Sequence, residues 1–281
     1  MITDTENIFL LVIAFIWIIG AILQDLRRRE VDNIWNFSLI GFALAYRFAF
    51  SVYNNEYWFF INGIIGLIIF LILGNIFYYS RIFAGGDAKL LIALGPLLPL
   101  SFDWFVNLKI FGVFITGFLL GGSLYVFLWS LVLVLFNFKK FSGEFLKQTQ
   151  KNKLFVIYSV VLFFIFICGS YFFFPLLYIG FLFILFPLLL LFARAVEESC
   201  LIVSLYPKDV TEGDWLYEDI FVNGKKIKAN WEGVSKTELQ LIQKKYRRRI
   251  LVKQGIPFTP GFLIGLIGVL IASWKFQRLI F

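Results

Sequence analysis

The 281-residue sequence contains no histidine. Catalytic triads built on imidazole, zinc sites with His ligands and haem held by His are thereby excluded. There are two cysteines, Cys168 and Cys200, far apart and in no metal-like spacing. They read as small packing residues. No metal site and no cofactor is expected. Charge is scarce too, with Asp, Glu, Lys and Arg making up 16% of the chain. Any acid–base chemistry falls to Asp, Glu, Lys or Tyr.

What fills the sequence is hydrocarbon. Apolar residues make up 60%, phenylalanine alone numbers 37, and the mean hydropathy is +0.84. Several runs reach the ~20 apolar residues that cross ~30 Å of bilayer. The first, Ile8 to Leu23, lacks a charged segment before it and a small-residue cleavage site after it, so it reads as a retained span. The net charge of +8 sits in blocks between the runs. That pattern suits cytoplasmic loops and anionic lipid heads, and no nucleic-acid partner is expected.

The expected fold is an all-α polytopic membrane protein with about eight spans and a small cytoplasmic α+β insert before the last. The expected spans are 7–24, 34–52, 57–79, 86–100, 110–136, 154–173, 176–196 and 258–274. The first, Asn7 to Gln24, leads into Asp25 and three adjacent arginines, Arg27 to Arg29. These put that loop in the cytoplasm and the N-terminus outside, in a multi-pass plasma-membrane protein. The fourth span is short, with Pro96 and Pro99 at its far end. Lys139 to Lys153, with five lysines and one glutamate, reads as a cytoplasmic loop. Pro175 turns the sixth span into the seventh. Four segments follow: 1–109 as the core carrying both aspartates, 110–196 as further spans, 197–257 as the soluble insert and 258–281 as the C-terminal span. In the insert, Asn223-Gly224 signals a type I′ hairpin. Ser235 and Glu238 make a capping box with Val234 and Leu239 as its staple, predicting a helix from about 236 to 253.

Two acids stand in apolar surroundings. Asp25 closes the first span, and Asp87 follows Ala84-Gly85-Gly86 at the mouth of the fourth. A carboxylate near hydrocarbon costs roughly 2.5–3.5 kcal/mol, so it usually has a partner or a task. Both acids fall on one expected side. Two carboxylates in contact do not readily both ionise, and such a pair activates water against a peptide carbonyl. The glycines would let another backbone approach, or permit unusual backbone angles. Equally, Asp87 caps a helix and Asp25 balances the loop arginines. Glu30 and Asp32 compete with Asp25 for its role.

Two stretches carry a family resemblance. Gly86-Asp87-Ala88-Lys89-Leu90-Leu91-Ile92-Ala93-Leu94-Gly95 resembles the second-aspartate motif of type IV prepilin peptidases. Gln24-Asp25-Leu26-Arg27-Arg28-Arg29 through Trp35 resembles the first-aspartate region of their archaeal branch, the preflagellin peptidases. Gly255-Ile256-Pro257-Phe258-Thr259-Pro260 is similar to that branch as well. The resemblance implies a GxGD-type aspartyl endopeptidase that cuts a short basic leader from flagellin- or pilin-like precursors at the cytoplasmic face. It makes Asp25 and Asp87 catalytic and Ala84, Gly85 and Gly86 the motif backbone. Ala84 departs from the family pattern, which has glycine there. Paired Cys-x-x-Cys is missing, so cleavage without N-methylation is expected. The implied partners are the lipid bilayer and precursors with a basic leader before an apolar helix. The acids Glu212, Asp214, Glu218 and Asp219 are candidates for attracting the leader's charge. Two other readings stand beside the protease: a proton- or ion-coupled transporter using Asp25 and Asp87, and a non-catalytic subunit of a pilus or flagellum assembly platform.

Overall fold

The computed structural model describes residues 5–275. Among the described residues, ten α-helices and five short strands fall into two compact units, residues 5–128 with 257–275 and residues 129–256.

The first unit is helical. α1 (Thr5–Arg28) and α2 (Asn33–Asn54) lock through a reciprocal pair of indoles. Trp17 Nε1 donates to the Trp35 carbonyl at 3.1 Å, and Trp35 Nε1 donates to the Trp17 carbonyl at 2.9 Å. Gly20 leaves room for the Trp35 ring. α3 (Tyr57–Tyr79) runs beside the short α4 (Gly85–Leu94). A Cβ on Gly66 would collide with the Gly95 carbonyl, and one on Gly74 would stand 2.6 Å from Ile92. Bare backbone faces let these two elements nest, which is how helices associate where no hydrophobic drive exists between them. α5 (Trp104–Phe136) meets α10 (Pro260–Lys275) the same way, with Gly117 against Gly265, Gly122 against Gly261 and Gly121 under the Ile264 side chain. α5 begins earlier than the expected 110, because the Asp103 carboxylate accepts the Phe105 amide at 2.8 Å and starts the helix.

The second unit holds the end of α5 and three further helices, α6 (Phe138–Lys151), α7 (Lys153–Gly169) and α8 (Leu176–Cys200). α6 was expected as loop. It is helical because Phe141 and Phe145 stack one turn apart and Phe141 packs edge-on against Phe192 of α8. It bends 78° from α7. The insert follows. β1 (Ile202–Leu205), β5 (Ile250–Lys253) and β2 (Trp215–Leu216) form an antiparallel sheet in the order β1-β5-β2. β3 (Ile220–Val222) and β4 (Lys225–Ile227) form the hairpin, with Asn223 at φ 51° and Gly224 at φ 80° as the I′ turn requires. α9 (Lys236–Lys245) carries the expected capping box. It stops eight residues short of 253, because Ile250 and Val252 alternate inward as β5. Val234 and Ile242 join them in a core of aliphatic residues.

Among the described residues, four helices, α1, α3, α5 and α8, are long and apolar enough to cross a membrane, and a fifth span results if the bent α6–α7 pair is one. The count of eight needs α2, α4 and α10 as well. α2 carries the buried Arg47, α4 spans ten residues before Pro96, and α10 is a shorter apolar helix. Residues 276–281 of the expected C-terminal segment lie outside the described residues.

Candidate active site

Asp25 lies in the last turn of α1. The helix ends because Arg29 turns left-handed at φ 59° and returns its amide to the Asp25 carbonyl at 2.9 Å. The Asp25 side chain is only 8% exposed. Its Oδ2 accepts two hydrogen bonds from one residue of the distant C-terminal segment. Thr259 Oγ1 donates at 2.9 Å and Thr259 N at 3.4 Å. Among the described residues, Oδ1 takes no hydrogen bond.

Asp87 stands in the first turn of α4, half-buried, and accepts no hydrogen bond among the described residues. It lies within electrostatic reach of Asp25, and so does Tyr125 of α5. The two acids that the sequence singled out, 62 residues apart in the chain, thus lie within electrostatic reach of each other. The competitors go elsewhere. Asp32 precedes α2, is exposed, and pairs with Arg28 at 3.7 Å. Glu30 is exposed.

The motif backbone behaves unlike the packing glycines. Ala84 has φ −67° and ψ 160°, ordinary values that need no glycine. Neither Gly85 nor Gly86 has a positive φ. A Cβ on Gly85 would come no nearer than 3.8 Å to Tyr78, and one on Gly86 no nearer than 3.8 Å to Val31 N. The chain's own packing therefore does not demand glycine at either position. The first intrahelical bond of α4 runs from Ala88 N to Ala84 O at 3.2 Å, so the amides of residues 85–87 point out of the helix end.

Sequence reasoning passed over three residues. Thr259 is fully buried against Asp25; only its place in a motif-like stretch signalled it. Arg47 is fully buried, and its guanidinium donates to the carbonyls of Pro96, Phe59 and Pro99 at 2.6, 2.8 and 2.5 Å. Asn36 is 2% exposed, and among the described residues neither atom of its amide has a hydrogen-bond partner. A polar residue spaced with Leu39 and Ala43 on one helical face was the available signal for both.

The acids proposed to attract a leader are partly committed. Asp219 pairs with Lys226 at 2.7 Å and accepts the Ala229 amide at 2.8 Å. Lys226 first and that amide second hold its carboxyl below the ordinary aspartate value. Asp214 accepts the Thr211 amide at 2.7 Å. Among the described residues, no three His, Cys, Asp or Glu side chains gather where a metal ion would fit.

Residues 12–138, which include both acids, match the model of the type IV leader peptidase family. Through this segment, a little under half of its length, the chain is similar to that family. A preflagellin peptidase of Methanococcus maripaludis is 40% identical over 89 residues, covering 31% of this chain and 38% of the relative. A preflagellin peptidase of Methanocaldococcus jannaschii is 32% identical over 89 residues, covering 30% of this chain and 38% of that relative. The aligned stretch thus spans under half the length of either relative. No solved structure matches the chain.

Proposed function

We propose that this protein is a membrane aspartyl endopeptidase that removes the short basic leader from preflagellin-like or pilin-like precursors. One observation carries the proposal: Asp25 and Asp87 come within electrostatic reach of each other inside the segment that matches the leader peptidase family. Nucleophilic attack needs neither histidine nor metal here. One carboxylate takes a proton from water, and the resulting hydroxide adds to the scissile carbonyl. The other carboxyl gives its proton to that oxygen. The tetrahedral intermediate then collapses, the peptide C–N bond breaks, and a proton passes to the leaving amine.

The open backbone at Gly85 and Gly86 supports the same reading. A substrate strand can approach there without meeting a side chain. In this proposal the spans number eight, with the N-terminus outside and both acids near the cytoplasmic face of the plasma membrane. The basic blocks 25–33, 80–86, 138–153 and 197–257 then share one side. The enzyme cleaves without methylating the product and uses no cofactor.

The test is cleavage of preflagellin and prepilin substrates by the detergent-solubilised protein, wild type beside Asp25→Asn and Asp87→Asn. Each folded variant is expected to lose at least about a hundredfold in rate, the usual worth of a general acid or base. A folded variant with near-normal cleavage removes its aspartate from the mechanism. A folded wild type that cuts neither substrate leaves the assembly-subunit and transporter readings in its place.

A further inference from the structure

We propose that the Phe258-Thr259 pair heading α10 is the positioning element of this site, with Thr259 fixing the Asp25 carboxylate. The inference rests on the two-aspartate reading above. Thr259 sits where α10 begins, immediately before Pro260. Proline holds the preceding residue in extended backbone, and its missing amide costs nothing at the first helical position. A threonine in that place usually accepts from its own helix. Here its hydroxyl donates across 234 residues of sequence to Asp25 Oδ2, and its amide donates to the same oxygen.

Both donors on one oxygen have a geometric consequence. They fix the carboxylate plane and commit Oδ2 to the protein. Oδ1 remains as the oxygen that takes the proton of water. The neighbouring residue acts on the other acid. The Phe258 ring packs against Phe83 at 5.8 Å and Phe118 at 5.2 Å, and it presses on Gly122. Phe83 directly precedes the Ala84-Gly85-Gly86-Asp87 stretch. Two adjacent side chains just ahead of α10 therefore hold the Asp25 side and the Asp87 side of the site at once. Thr259 touches no reacting atom of substrate, so its effect runs through Asp25.

Thr259→Val keeps the shape and removes the donor. We expect its kcat to fall about 10–100-fold, the worth of one hydrogen bond to a charged group, with KM within about twofold. Thr259→Ser restores the donor and should recover most of kcat. A Val variant with wild-type kcat, a loss confined to KM, or a Ser variant as poor as Val would overturn the proposal. If Thr259→Val does not fold, Thr259→Cys replaces it: a thiol of similar size is a weak donor and should also lose kcat. Asp25→Asn and Asp87→Asn run in parallel. If both are inactive while Thr259→Val is fully active, the positioning role alone fails. If either retains cleavage, the two-aspartate reading fails first and takes this inference with it.

Discussion

One stripe of α2 runs through two opposite situations. Asn36, Leu39, Ala43 and Arg47 are all buried on it. At one end, Arg47 fills its donors with three backbone carbonyls and lies over the Phe59 ring at 4.4 Å. Two of those carbonyls belong to Pro96 and Pro99, where the chain leaves α4 and helical acceptors are orphaned. At the other end, among the described residues, the Asn36 amide finds no partner, Asp87 accepts no hydrogen bond and Asp25 keeps one oxygen without one. Arg47 and Asn36 are both buried, so burial alone does not separate them. Whether their polar atoms are answered from within the described residues does. The answered end is architecture. In the proposed function the unanswered end is the one that receives substrate.

The largest expected effect lies at the answered end. Arg47→Met keeps the apolar stem and strips three carbonyls of their donor. Unsatisfied buried acceptors cost about 1–3 kcal/mol each, so a loss of about 3–5 kcal/mol is expected. Thermal unfolding in detergent reads it. Cleavage per folded molecule, taken well below the melting point, should stay near wild type. A stable Arg47→Met protein would dissolve the contrast between the ends.

The glycines sharpen the same contrast. Gly66→Ala drives a methyl into the Gly95 carbonyl, with Pro99 2.6 Å away on the same side. It should destabilise by about 1–3 kcal/mol, as overpacked cores do. Gly86→Ala meets nothing closer than 3.8 Å and has no positive φ to strain. It should stabilise by about 0.4–1 kcal/mol through the unfolded chain. Cleavage should nonetheless fall, because the new methyl occupies the approach to Asp87. A Gly86→Ala enzyme that is both steadier and fully active would show that no substrate backbone passes there.

Asn36→Leu asks whether the unanswered amide has a use. An apolar residue of similar volume removes an orphaned donor and an orphaned acceptor together, which is near neutral or stabilising. Melting should hold or rise while kcat/KM drops several-fold. If melting falls instead, Asn36 has a structural partner and belongs with Arg47.

These cases mark what the sequence made legible. Asp25 and Asp87 stood out because carboxylates in apolar surroundings are rare, and the hairpin and capping box stood out because their rules are local. Arg47 and Asn36 did not, since each looks like an ordinary polar interruption until the facing carbonyls are known. Thr259 was beyond reach for another reason: its partner is 234 residues away, and no spacing rule covers that distance. α6 was misread because five lysines hid the Phe141–Phe145 spacing, and β5 because a basic block appeared to extend a helix. Polarity was weighed there where packing decides.

The smallest expected effect belongs to the insert and serves as the control for all the rest. Ser235 caps α9, and the Glu238 carboxylate accepts a hydrogen bond from the Ser235 amide at 3.0 Å. Ser235→Ala should cost about 1 kcal/mol of stability in residues 129–256. The pH dependence has a definite sign. The Ser235 hydroxyl first, then its amide, hold the Glu238 carboxyl below the ordinary glutamate value. A depressed carboxyl contributes stability that is fully present above its unfolded pKa of about 4.3. That contribution is lost as pH falls through the lower folded value. The gap between wild type and Ser235→Ala should therefore be constant from pH 7 down to about 5 and narrow only below about 4. Leader cleavage by the variant at neutral pH should match wild type, because the cap touches neither aspartate. A cleavage defect without a stability change would move the insert from scaffold to substrate reader.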